Sequence, residues 1–146
     1  PARRKPDSLT SNLFAETPMP ETSMTRLGWV LSGLFGLFML GASVAPKLLG
    51  LAVAQDTMTA LGWPAAPILL IGILELLCTL LYLIPATSLL GGILMMAILG
   101  GAMATQIRAG TPLMSNQLFS VWLGLVMWGG LWLRDARFRA LFPVRR

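Results

Sequence analysis

The chain has 146 residues, 55% of them hydrophobic and only 12% charged, and its mean hydropathy of +0.74 excludes an ordinary soluble domain. A net charge of +5 would suit nucleic acid in a water-soluble protein, but here the basic residues flank apolar segments and act as topology signals, which excludes that partner. With no histidine and a single cysteine, Cys78, the chain lacks the usual haem and metal ligand, the usual general base at neutral pH, and any intrachain disulfide, so neither a metal site nor a covalent cofactor is expected.

Residues 1–25 are rich in proline, serine, threonine and charge and poor in large apolar side chains, a composition that buries too little surface to fold alone. They read as an extended tail, from Pro1 and ending at Thr25, that takes up order against other membrane-protein subunits. The start at Pro1 is read as loss of an initiator methionine, and the retained tail argues against a cleaved signal peptide. Residues 26–134 then form the membrane domain. Charge is absent from 20 residues between Arg26 and Lys47, 18 between Asp56 and Glu75, 32 between Glu75 and Arg108, and 25 between Arg108 and Arg134. A hydrocarbon core of about 30 Å takes roughly 20 helical residues to cross at about 1.5 Å each. The fold class is therefore all-α, an integral membrane four-helix bundle surrounded by membrane lipids.

The first span is expected over 27–45, with Arg26 and Trp29 at one end and Pro46-Lys47 ending it. Residues 50–62 are too polar to span and read as a short amphipathic turn at the interface. Trp63-Pro64 opens the second span, which runs to about residue 84, since proline suits a first helical turn. Pro85 to Ser88 is a tight connection with Thr87 or Ser88 as helix cap, so the second and third spans are antiparallel neighbours. The third span reaches about residue 107, a loop holding Gly110 and Pro112 follows, and the fourth covers about 116–133. Residues 135–146 form a basic cytoplasmic segment, with Phe138, Leu141 and Phe142 on one side of an interfacial helix.

Arg3, Arg4, Lys5 and Arg26 precede the first span and Arg134, Arg137, Arg139, Arg145 and Arg146 follow the last, against only Lys47 and Arg108 on the opposite side. That bias places both termini on the cytoplasmic side of the membrane. Helix contacts are expected at small residues spaced by four, where backbones approach closely in lipid: Ser32 and Gly36, then Ala97, Gly101 and Thr105, then Ser120 and Gly124.

Glu75 stands out. It lies 11 positions after Pro64, about 16 Å into the expected span. A charged residue at that depth costs roughly 2.5–3.5 kcal/mol to insert, so it must be protonated, paired or turned to a polar cavity. It is either a proton relay or ligand partner, or a structural clamp between helices. Lys47 either bends inward to meet it or snorkels to the interface. Thr105, Gln106 and Arg108 close the third span at the same outer level where Asn116, Gln117 and Ser120 open the fourth. The candidate ligand-binding set is accordingly Glu75, Lys47, Gln106, Thr105 and Arg108. Cys78 follows Glu75 by three residues, but a buried thiol in an apolar setting is inert. The nine methionines and Trp122, Trp128 and Trp132 are read as packing and interface residues.

Several short segments resemble the DoxX-like family of four-span membrane proteins: SVAPKL at Ser43 to Leu48, Leu61-Gly62-Trp63-Pro64, Glu75-Leu76, Ile84-Pro85, and ATQIRAGTP at Ala104 to Pro112. The likeness covers about 27–134 and leaves out both tails. Many members carry a histidine where this chain has Gln106, so a proton or metal role for that histidine does not transfer here. The family takes its name from a subunit associated with terminal quinol oxidase, and its relatives are linked to membrane redox systems and thiol stress. The leading reading is an accessory, non-catalytic subunit of a larger bacterial inner-membrane complex in respiratory or photosynthetic electron transport, with the tail gripping a partner and Glu75 tying helices together. The alternative is a small quinone-binding or proton-coupled carrier in which Glu75, Lys47 and Gln106 line a pocket for bound quinone or lipid. No nucleophile with an adjacent base can be assembled for a hydrolase or transferase, and no activity of its own is expected.

Overall fold

The computed structural model describes residues 20–141, and these are helical with no strand among them. The expectations for residues 1–19 and 142–146, including the partner-bound tail and the place of Phe142, lie outside the described residues. Six helices follow in chain order. Helix α1 runs from Glu21 to Leu48 without a break, α2 is Ala52–Ala60, α3 is Ile68–Leu83, α4 is Ser88–Arg108, α5 is Phe119–Arg134 and α6 is Ala136–Leu141.

Helix α1 departs from expectation at both ends. It begins at Glu21, so Glu21 to Thr25, assigned to the tail, belong to the helix. It also passes through Pro46, where a stop was expected. Proline has no N–H and its ring clashes with the carbonyl four residues back, here that of Ala42. The chain answers with a π-helical stretch over Met39–Val44, whose wider turn relieves the clash and keeps the axis going to Lys47 and Leu48. Such π turns recur at functional sites.

The four long helices pack in a ring: α1 against α3 and α5, and α4 against α3 and α5. Two of them, α1 and α4, are long and apolar enough to cross a membrane, while α3 is apolar but only 16 residues long. It starts at Ile68 rather than at Trp63-Pro64, because the residue before Pro67 is pushed out of the helical region and Trp63 to Pro67 form a turn instead. Helix α5 is led in by a π turn at Leu113–Gln117. The expected cap at Thr87 or Ser88 is not made. No side chain caps α4; Thr87 donates instead to the Leu81 carbonyl at 2.8 Å and Ser88 to that of Pro85 at 3.2 Å. The Thr87 hydroxyl satisfies the end of α3, whose last carbonyls have no helical partner, and that of Ser88 a carbonyl of the connection itself.

The small-residue rows divide. Ser32 and Gly36 are buried on α1 and Ser120 and Gly124 on α5. Ser32 lies against Gly130, where an added Cβ would sit 2.7 Å from its hydroxyl, and Gly36 lies under Leu83. Ala97 and Gly101 instead face outward, with nothing within 4 Å of a Cβ built at Gly101. The α3–α4 contact is made about two to three turns earlier, at Gly91, where a Cβ would collide with the main chain of Leu81 and Tyr82. The tight connection between these helices forces their closest approach at its own end, and Ala97 and Gly101 lie beyond it on the other side of α4.

Residues 135–141 pack back on the end of the bundle. The Asp135 carboxylate accepts from the N–H groups of Arg137 and Phe138 at 2.9 and 3.2 Å, the capping arrangement for a helix start. Phe138 stacks on Trp128 with centroids 5.5 Å apart. Arg139 donates to the end carbonyls of α5 at Trp132 and Leu133 and reaches Glu21 at 3.4 Å, an exposed pair that contributes little.

Candidate functional site

Because the π turn carries α1 past Pro46, Ser43 and Lys47 fall one turn apart on the face turned toward α3. Gly72 makes room for Lys47 and Leu48: a Cβ there would lie 2.9 Å from Lys47 Cβ and 3.1 Å from Leu48 Cδ2. Glu75 follows Gly72 by three residues and so shares its face.

These residues form a closed polar cluster. Lys47 Nζ lies 2.9 Å from Glu75 Oε2 and 3.1 Å from Oε1. The same ammonium donates to Ser43 Oγ at 2.7 Å and to the Ser43 carbonyl at 3.1 Å, and Ser43 Oγ donates to Glu75 Oε2 at 2.9 Å. The two charged side chains are only 11% and 8% exposed. Lys47 therefore bends inward instead of snorkelling, since a buried carboxylate is tolerated only when paired and hydrogen-bonded. Ser43 was visible in the sequence only as part of the SVAPKL segment; its spacing of four from Lys47, one helical turn, is the signal that would have pointed to this role.

The cluster forms one wall of a cavity of about 310 Å³. Opposite it stand Leu99, Ala102 and Gln106 on one face of α4, while Asn116, Ser120 and Leu123 close the α5 side. Helix α2 roofs the space with Val53, Ala54, Thr57 and Met58, so its apolar face covers the cavity rather than resting on lipid alone. Gly50 and Gly62 flank α2 with φ of 64° and 75°, a backbone that side chains other than glycine adopt at a cost. Gln55 ties the roof down by donating to the Pro64 carbonyl at 2.8 Å.

Of the five candidate residues, Glu75, Lys47 and Gln106 come together at this cavity and Thr105 and Arg108 do not. Thr105 bonds back to the Gly101 carbonyl at 2.9 Å. Arg108 reaches the Leu61 carbonyl at 3.3 Å, and both line a separate shallow depression with Trp63 and Ala104. The reason is the helical period. Residues 99, 102 and 106 share one face of α4, and positions 105 and 108 lie about 100° and 200° round from Gln106.

A second buried cluster sits at the other end of the bundle, and it was missed in the sequence. Tyr82, fully buried, donates its phenol hydrogen to the Met127 carbonyl at 2.8 Å, which leaves Ser32 as donor in the 2.8 Å bond between the two hydroxyls. The Arg134 guanidinium lies 4.6 Å from the Tyr82 ring and 4.5 Å from that of Trp29, and donates to the Tyr82 carbonyl. Gly28 and Gly130 allow this approach of α1 to α5. The cluster ties α1, α3 and α5 together as a structural clamp, although Arg134 Nη1 is buried without a hydrogen-bond partner among the described residues.

The sequence model of the family described as DoxX-like matches residues 30–130. This chain belongs to the DoxX-like family. The match takes in the main parts of α1 and α5 and the whole cavity, so the protein is a small membrane protein of that family. No curated protein and no solved structure matches it.

Proposed function

We propose that this DoxX-like protein holds a lipid-soluble small molecule in the cavity beside Glu75, inside the bilayer. The observation that carries the reading is the Ser43–Lys47–Glu75 cluster on the wall of an otherwise mainly apolar space. Cavities of a few hundred Å³ lined by apolar groups with a few placed polar ones are the usual form of a small-molecule site. The ring of a quinone or a lipid head group is of the right class. Because Glu75 is already fully paired, it serves to fix polarity in the site, which supports ligand holding over a proton relay.

All four long helices carry large apolar side chains on their outer faces, among them Leu34, Leu37, Leu70, Leu77, Leu90, Ile93, Val121 and Leu125, while Glu75, Thr79, Ser32 and Ser120 are buried. That inside-out distribution supports four spans in lipid. With the bias of basic residues it supports an inner-membrane location with both termini cytoplasmic. The cavity then lies in the outer half, and Phe38 and Phe119 at its rim, 39% and 44% exposed, leave it a lateral approach from the lipid.

The test is to purify the protein in native lipid and analyse what it carries by mass spectrometry. Wild type will retain a lipid-soluble molecule in near-stoichiometric amount, and Ala102→Phe, which fills the space between Leu99 and Gln106, will lose most of it while keeping its helical content. Equal retention by both proteins counts against the reading. The accessory-subunit role has its own support in the outward row of Ala97 and Gly101, a surface suited to another membrane helix. Its discriminating result is co-purification of further subunits that Gly101→Leu abolishes.

A further inference from the structure

The hydrogen-bond inventory of the cavity narrows what it can hold, given the ligand-site reading above, on which this inference rests. Lys47 has three N–H groups, and the Ser43 carbonyl, Ser43 Oγ and the Glu75 carboxylate account for all of them. Glu75 in turn receives Lys47 and Ser43. The pair is electrically closed, so an anionic ligand would have to displace Glu75 from Lys47, and a cationic one would have to displace Lys47 from Glu75. Either exchange in an apolar cavity is costly.

One polar atom beside the cavity is unmet. Gln106 lines the space, and its Oε1 is buried without a hydrogen-bond partner among the described residues. A buried acceptor left so costs about 1–3 kcal/mol. The terminal torsion of glutamine is soft, and a turn of the carboxamide would present Oε1 to a ligand donor in the cavity that Gln106 lines. The remaining walls are mainly apolar, Thr57, Asn116 and Ser120 being the other polar side chains along them, with the Phe38 and Phe119 rings in edge contact at 5.7 Å offering surface for a flat body.

We infer that the cavity takes an uncharged molecule with an apolar body and one hydroxyl group, the hydroxyl hydrogen going to Gln106 Oε1. The oxygen of that hydroxyl faces no donor demand from Lys47, and the body fills the space between α1, α4 and α5.

The experiment uses the full chain in lipid nanodiscs and three probes of one shape: tritiated 4-hexylphenol, its methyl ether 4-hexylanisole, and hexylbenzene, with 4-hexylbenzoate as the charged arm. Affinities are expressed against probe concentration in the lipid. Wild type will bind the phenol about 10-fold more tightly than the ether, and Gln106→Leu will abolish that preference while still binding hexylbenzene. The benzoate will not compete. Equal affinity of wild type for phenol and ether, survival of the preference in Gln106→Leu, or benzoate binding as tight as the phenol overturns the inference and leaves the cavity reading standing. Failure of hexylbenzene itself to bind saturably removes that reading and this inference with it.

Discussion

Glu75→Leu will lower stability by about 3–5 kcal/mol, Lys47→Met will do the same, and the two together will recover most of the loss. The reason is that each single change strands a charge among apolar groups. With both partners nine-tenths buried and 2.9 Å apart, removing Lys47 leaves a carboxylate with only the Ser43 hydroxyl, and removing Glu75 leaves an ammonium with only Ser43. The double variant substitutes apolar side chains of similar reach and leaves no charge behind. Unfolding in mixed micelles, read as a double-mutant cycle, measures the coupling directly. Losses that simply add would mean that each residue is solvated independently, and the closed cluster would not exist in the bilayer.

A single methyl group at Gly91 will be almost as damaging. Its Cβ would strike the main chain of Leu81 and Tyr82, which no rotamer change can relieve. Overpacking commonly costs 1–3 kcal/mol, and Gly91→Ala belongs at or above the top of that range, about 3 kcal/mol, because α3 and α4 must separate at the connection that joins them. Gly101→Ala, ten residues further along the same helix, adds a methyl in open space and will change stability by less than about 0.5 kcal/mol. The same unfolding assay compares the two. The reverse order would move the α3–α4 contact to the face the sequence first suggested.

The contrast between these glycines shows what was legible. A small residue four positions from another is a valid packing signal, and at Ser32, Gly36, Ser120 and Gly124 it falls on buried faces. At Ala97 and Gly101 the same pattern looks outward, because α4 is apolar all round and nothing in its composition distinguishes lipid from neighbour. Glu75 was visible as an anomaly in an uncharged run, and Lys47 as the end of a span. Their meeting stood as one of two alternatives for Lys47, and the sequence could not choose between them, since a proline normally ends a helix and α1 instead continues through Pro46 by a π turn.

What the sequence determined by itself was the solvent, the order of the helices and the level of each polar residue along them, because rise per residue is fixed and charge is too costly in hydrocarbon to be placed at random. Only the tertiary structure decided which way each residue turns. Core and lipid are equally apolar, so the rotation of a membrane helix about its axis is set by the neighbours it meets. That rotation gathers Ser43, Lys47, Glu75 and Gln106 around one cavity and leaves Thr105 and Arg108 outside it.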